Sequence, residues 1–310
     1  MSGERFRVWT GYAIVSFVWG STWLAIKIGL GSIPPFLGAG MRFAIAALML
    51  LVMLRMRRVH VPLTAEAKKV YLVLGTISFG VCYALVYWGE QFISSGLCSV
   101  LFAAYPFCVA IFSHFLLKRE PLTAFKVAGI ILGIAGLAVI FAGDLRVADS
   151  SAVRGMAAVL ASTILQACAL VLTKKHGQAI DPIAMNCVGM TIATVLLLTL
   201  GVVTERDMPL RLDGAAVGSL VYLAAVGSVL AFVTYYWLLK RVEAVYLSIT
   251  SLINPIVAVM LGAVILGETL APRTAAGTAL VLLGLVTVNG KQLLARISPP
   301  PGAGGDSPTA

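Results

Sequence analysis

Charge is scarce in this sequence. Only 12% of its 310 residues are Asp, Glu, Lys or Arg, while 60% are hydrophobic. A soluble domain carries about 25% charged residues, so a water-filled exterior is excluded. Histidine is scarcer, with three copies, His60, His114 and His176, scattered along the chain. No His, Cys, Asp or Glu cluster has the spacing of a metal site, and neither a metal nor any other cofactor is expected. The five cysteines all lie inside apolar runs, without a CxxC pair. That excludes a disulfide framework and leaves them as small packing residues. Acidic side chains are missing from the interiors of the apolar runs, since Glu90, Glu120 and Glu268 stand at run ends.

What is present is a series of apolar runs, each near the roughly 20 residues that span a bilayer as a helix. Ten are legible: 10–28, 35–54, 70–88, 95–117 and 123–142, then 155–173, 182–203, 215–239, 244–266 and 272–288. The first is too long for a signal-peptide core and is not followed by a small-residue cleavage site. The net charge of +10 does not indicate nucleic acid, because the basic residues fall in short loops between these runs. Sixteen of the 23 Lys and Arg lie on the side that holds both termini, and five lie on the other. The positive-inside rule therefore predicts cytoplasmic termini. Two cations, Lys27 and Arg42, belong to neither set of loops. The Pro- and Gly-rich tail at 297–310 is expected to be disordered.

The two halves of the chain resemble each other at an offset of 147 to 149 residues. Lys27 aligns with Lys174, Pro35 with Pro182, Tyr87–Trp88 with Tyr236–Trp237, Pro106 with Pro255, and Glu120 with Glu268. Five runs per half is an odd number, so the second half is predicted to be inverted. The expected fold is an all-α membrane protein of ten transmembrane helices built as two inverted five-helix repeats, 1–143 and 154–290. Inverted repeats are typical of secondary transporters, whose substrate sites lie near the midplane at the repeat interface.

Four stretches resemble the EamA family of drug/metabolite transporters: "WGSTWLAIKIGL" (19–30), "PPFLGAGMRFAIAAL" (34–48), "GEQFISSGLCSVLFAAYPFCVAIF" (89–112) and "INPIVAVMLGAVILGETL" (253–270). The resemblance extends over nearly the whole chain. It implies a carrier of the bacterial inner membrane, usually an exporter of amino acids or related small metabolites. The small multidrug-resistance proteins, distant relatives of each half, use a glutamate in their first helix for proton exchange. This chain has no acidic residue between Thr10 and Ile28.

Several residues are candidates for the substrate site. Lys27 lies eight residues before Pro35 and Arg42 seven after it, which places two cations at similar depth on neighbouring helices. The repeat partner of Arg42 is Gly189, so the fold of a half does not require an arginine there. Two like charges need a counter-charge. A substrate carboxylate is one choice. An Arg42–Glu90 pair bracing the outer rim, with Lys27 snorkelling to the surface, is the other. Trp19, Trp23 and Lys27 fall on one helix face, as do Tyr83 and Tyr87, whose partners are Phe232 and Tyr236. Trp19 and Tyr83 are too deep for an interfacial belt. Gln166, the partner of Trp19, and Asn254 are mid-span amides that either meet substrate or bond between helices. Pro106 and Pro255 are candidate paired hinges. Glu120 and Glu268 are expected at the N-termini of the fifth and tenth helices.

The expected function is secondary transport of a zwitterionic or anionic small molecule by a monomer or homodimer in the lipid bilayer. A membrane-embedded enzyme acting on lipid would need nucleophiles or general acids near the interface, and no such cluster is visible. A passive channel or a non-transporting scaffold is the third reading.

Overall fold

In a computed structural model the described residues are 3–117, 123–144, 150–242, 244, 247, 250–269 and 271–288. They form helices and connecting turns, with no strand among them. The helices are α1 (Gly3–Leu30), α2 (Pro35–Met56), α3 (Ala65–Glu90), α4 (Ser95–Leu116), α5 (Ala124–Asp144), α6 (Ser150–His176), α7 (Pro182–Thr204), α8 (Gly214–Leu239), α9 (Thr250–Leu266) and α10 (Pro272–Val288). Seven of them, α1 to α4 and α6 to α8, are long and apolar enough to cross a membrane; α5, α9 and α10 contribute shorter apolar stretches. The reason for helix throughout is simple. In hydrocarbon every backbone polar group must be satisfied within the chain, and a helix does this locally. Large apolar side chains such as Leu48, Val203 and Val264 are left exposed on the outside, as a lipid-facing surface requires. The chain is a multi-pass membrane protein.

Helix starts are written locally. Thr64, Ser94 and Asp213 each accept a hydrogen bond from the backbone N–H three residues on, and Asp181 accepts from Ile183 N. These are N-cap bonds. Asp213 also accepts from Ser32 Oγ at 2.6 Å, and that hydroxyl, with the Ala216 N–H, holds its carboxyl below the usual range. Two other starts are capped from a distance. Glu205 accepts from Phe36 N and Leu37 N at 2.8 and 2.9 Å, at the head of α2. Glu268 accepts from Ser95 N, Ser95 Oγ and Gly96 N, at the head of α4. The expectation that Glu268 serves the start of its own tenth helix is therefore corrected: its carboxylate folds back onto α4. Glu120 lies outside the described residues.

Three of the long helices are irregular near the middle. Within α3 the segment Val73–Val81 has π-type turns, and within α8 so does Leu223–Leu230. The two segments begin 150 residues apart. In α4 the helix breaks at Ala103–Ala104, and Pro106 opens its second piece. The aligned Pro255 instead lies inside α9, which continues through it. The candidate hinges thus differ in form.

Packing pairs α2 with α7, α5 with α10, and α3 with α6; α1 lies against α8 and α9, and α4 against α6 and α9. Two pairs come together at glycines. A Cβ on Gly89 would lie 2.8 Å from Gly155 O, and one on Gly129 2.4 Å from Gly284 O. Backbones meet there, which is how membrane helices gain dispersion contact without a hydrophobic driving force.

Candidate substrate cavity

Near the middle of the bundle α1, α2, α3, α4, α6, α8 and α9 enclose a cavity of ≈ 70 Å³. A water needs about 10–15 Å³ by this measure, so a few waters fit. Its wall is rich in aromatics: Trp19 and Trp23 from α1, Tyr83 from α3, Phe102 and Tyr105 from α4, Phe232 and Tyr235 from α8. The rings hold one another. Trp19 packs on Tyr235 and Phe232 at centroid distances of 4.7 and 5.0 Å, and Trp23 on Phe102 at 5.5 Å. The Trp19 Nε1–H donates to Gly227 O at 3.3 Å, and the Tyr105 and Tyr235 hydroxyls bond at 3.2 Å. Such tied rings give a rigid wall with few polar atoms.

Arg42 supplies the charge in this wall. It is 1% exposed. Its Nε–H donates to Ser228 Oγ at 2.8 Å, and Nη1 approaches the Tyr87 hydroxyl at 3.5 Å. The guanidinium lies over the Tyr83 and Phe43 rings at 4.9 and 5.5 Å, close enough for cation–π attraction. Ser228 can accept because its own hydroxyl proton goes to Leu223 O, five residues back in the π-type segment. The neighbouring Gly227 makes room: a Cβ there would stand 3.3 Å from Arg42 Nη2. Among the described residues no carboxylate lies within 4.0 Å of Arg42. The bracing pair with Glu90 is thus not formed. A guanidinium has five N–H donors, and the neutral groups around Arg42 leave part of that fork uncommitted.

The other expected residues divide clearly. Trp19, Trp23, Tyr83, Gln166 and Asn254 line the same cavity as Arg42. Gln166 accepts from Ser78 Oγ at 3.0 Å, so α3 and α6 are joined there. Asn254, with its amide turned to suit its neighbours, donates to Thr250 O and to Ser16 O of α1 at 3.1 and 3.0 Å. Tyr87 stands behind the wall as a support for Arg42. Tyr236 is buried outside the lining, stacked on Phe232 at 6.2 Å. Lys27 is also outside it. Its ammonium neither snorkels to the surface nor faces the cavity, but donates to Glu90 O and Ile93 O at 2.6 and 2.8 Å.

The sequence reading missed Tyr105, Tyr235, Ser162 and Ser228. The first two were available as aromatics, but the repeat alignment with Tyr83 and Tyr87 selected Phe232 and Tyr236 and passed over Tyr235. Tyr235 and Tyr236 stand three and four residues after Phe232, so both lie near its face, and the contacts with Trp19 and Tyr105 bring Tyr235 to the cavity. Ser228 and Gly227 carry no one-dimensional signal, since their role depends on an arginine 186 residues away.

Fold and cavity describe a multi-pass helical membrane protein with a small, aromatic, singly charged interior space. The sequence matches the EamA-like transporter family twice, over residues 9–142 and 153–290, and the chain belongs to that family. It is 30% identical over 280 residues to the "Uncharacterized transporter YoaV" of Bacillus subtilis (strain 168), covering 90% of this chain and 95% of that one. It is 32% identical to the "Probable amino-acid metabolite efflux pump" of Salmonella typhimurium, over 88% and 91%. A Chlamydia trachomatis protein named "S-adenosylmethionine/S-adenosylhomocysteine transporter" is 27% identical, over 87% and 85%. One solved crystal structure superposes with a TM-score of 0.72 at 19% identity, covering 94% of this chain and 98% of the other, a likeness of fold.

Proposed function

We propose that the protein is a secondary transporter of the bacterial inner membrane that exports amino acids or related small metabolites by alternating access. The observation that carries this reading is Arg42: a buried guanidinium in a wall rich in aromatics, with donors to spare and, among the described residues, no carboxylate within 4.0 Å. A bidentate solute carboxylate suits that fork, and the rings suit an apolar body. Relatives named as an amino-acid metabolite efflux pump and as a metabolite transporter support the solute class. The cavity is far below the roughly 300–1,000 Å³ of pockets that enclose small molecules. It must widen to load, as alternating access requires.

Ten spans in two inverted repeats, with cytoplasmic termini, complete the proposal. The matched lysines favour it. Lys174 donates to Leu239 O and Val242 O, as Lys27 does to Glu90 O and Ile93 O, and both pairs of acceptors are 149 residues apart. A cysteine at Asp207 should then react with an impermeant thiol reagent outside intact cells.

Counterflow of labelled L-amino acids in proteoliposomes tests the site. Hydrogen bonds to charged groups are worth about 1.5–3 kcal/mol, and 1.4 kcal/mol is tenfold in affinity. Arg42→Lys keeps the charge but loses the fork, so transport should fall about tenfold, with more lost in Arg42→Gln. Unchanged uptake in Arg42→Gln would remove this residue from the site.

A further inference from the structure

Glu90, the last residue of α3, is fully buried, and neither of its carboxylate oxygens has a hydrogen-bond partner. Among the described residues it makes no ion pair within 4.0 Å. Lys27 is close, yet its ammonium is turned to the backbone carbonyls of Glu90 itself and of Ile93. The charged and titratable groups whose fields reach Glu90 come from several elements around it. They are Lys27 from α1, Arg42 from α2, Tyr87 from its own helix, Cys98 from α4, and Glu268 from the segment before α10. Glu268 is occupied with Ser95 and Gly96, and Arg42 with Ser228.

An ionised carboxylate buried without a donor is far costlier than the neutral acid. The acid is therefore the form that fits this geometry. Ionisation would suit a second arrangement, in which Lys27 turns from the carbonyls to the side chain. Of the two cations only Arg42 lines the cavity, and it is the one that serves a solute carboxylate. With Glu90 ionised, two cations face one fixed anion, and an incoming anion meets a competitor. With Glu90 neutral, Arg42 is left with a charge to satisfy. We propose that Glu90 is a proton-binding site linked to the Arg42 site, so that binding of a solute carboxylate and binding of a proton at Glu90 reinforce each other. By reciprocity of linkage each favours the other equally. When the cavity opens to water and the solute leaves, Lys27 turns to the side chain, the Glu90 O–H bond breaks, the electron pair stays on the carboxylate, and the proton leaves to water. A carrier built this way moves a proton together with its solute, and it exports when the outward solute gradient exceeds the inward proton gradient. The inference rests on the reading of Arg42 as the carboxylate site.

Two measurements test it on the full chain. The first needs no solute. Dicyclohexylcarbodiimide adds to a protonated buried carboxyl, giving an N-acylurea, and peptide mass spectrometry locates the adduct. Labelling at Glu90 should occur at neutral pH and decline as the medium becomes alkaline. Absence of label at Glu90 under conditions that label it in the unfolded chain would overturn the proposal. The second uses proteoliposomes holding a trapped pH dye, with L-alanine as the probe. Wild type should acidify the lumen as L-alanine enters, whereas Glu90→Gln should keep L-alanine counterflow and lose the acidification. Equal proton movement in the two proteins would overturn the proposal. If Glu90→Gln does not fold, Glu90→Asp replaces it and should retain acidification with its pH dependence displaced; an undisplaced profile counts against the proposal. If wild type neither binds nor carries L-alanine or the other L-amino acids, the Arg42 reading fails, and the carbodiimide result still decides whether Glu90 holds a proton.

Discussion

Lys27 and Arg42 are two cations of neighbouring helices, and they are used in opposite ways. Lys27 is spent on two carbonyls where the chain turns after α3. Lys174, its counterpart, is spent on the two corresponding carbonyls after α8. Arg42 has no counterpart, since Gly189 stands at the matched position and packs against Leu74 and Phe79. The difference separates two kinds of intramembrane charge. One is repeated in both halves, meets backbone and closes helix ends that would otherwise lack donors. The other is not repeated, meets neutral side chains and faces the cavity. A repeated charge belongs to the fold of a half, and an unrepeated one belongs to what the two halves enclose.

The comparison can be broken most directly at the lysines. Lys27→Met and Lys174→Met each remove a cation that holds two carbonyls. At about 1.5–3 kcal/mol for hydrogen bonds to a charged group, both should lower the melting temperature in detergent by similar amounts. Transport per folded molecule should change little in either. Loss of transport in Lys27→Met without loss of stability would return that lysine to the substrate site.

A smaller effect is expected at the long-range caps. Glu268→Gln weakens the cap of α4, and Glu205→Gln that of α2. Losing a cap costs about 0.5–2 kcal/mol, so each should melt below wild type but above the lysine variants. If Glu268→Gln instead destabilises only the end of α10, seen as faster hydrogen exchange there and not at Ser95 and Gly96, the cap is local after all.

The smallest effect on stability is expected at the prolines. Pro106 opens the second piece of a broken helix, where its missing N–H costs nothing, whereas Pro255 lies within a continuous one. Alanine at 106 should shift stability by less than about 1 kcal/mol. If the break at Ala103–Ala104 is the hinge, the initial transport rate should nonetheless fall more in Pro106→Ala than in Pro255→Ala. The reverse order would place the hinge in the second half.

Much of this was legible in one dimension. The runs at 35–54, 182–203 and 272–288 match α2, α7 and α10 to within two residues, because membrane helices satisfy their backbones internally and their length follows from hydropathy alone. The caps at Thr64, Ser94, Asp181 and Asp213 are equally local. The sequence also singled out Arg42 and Lys27 as the two basic residues outside the loops. It could not say which was committed, because their partners, Ser228 on one side and the carbonyls of Glu90 and Ile93 on the other, are brought in by other helices. Nor could it choose Tyr235 over Tyr236, since Trp19 and Tyr105, which bring Tyr235 to the cavity, come from other helices. Glu268 reads as a cap for the helix after it, and only the packing of α9 against α4 turns it to Ser95. Hydropathy and the caps at Thr64, Ser94, Asp181 and Asp213 are properties of neighbours along the chain, so the sequence determined the helices and those ends, while the ends held by Glu205, Glu268 and the two lysines needed distant segments to meet. The cavity, the partly uncommitted guanidinium and the unpartnered carboxylate arise where segments tens to hundreds of residues apart meet, so only the tertiary structure decided them.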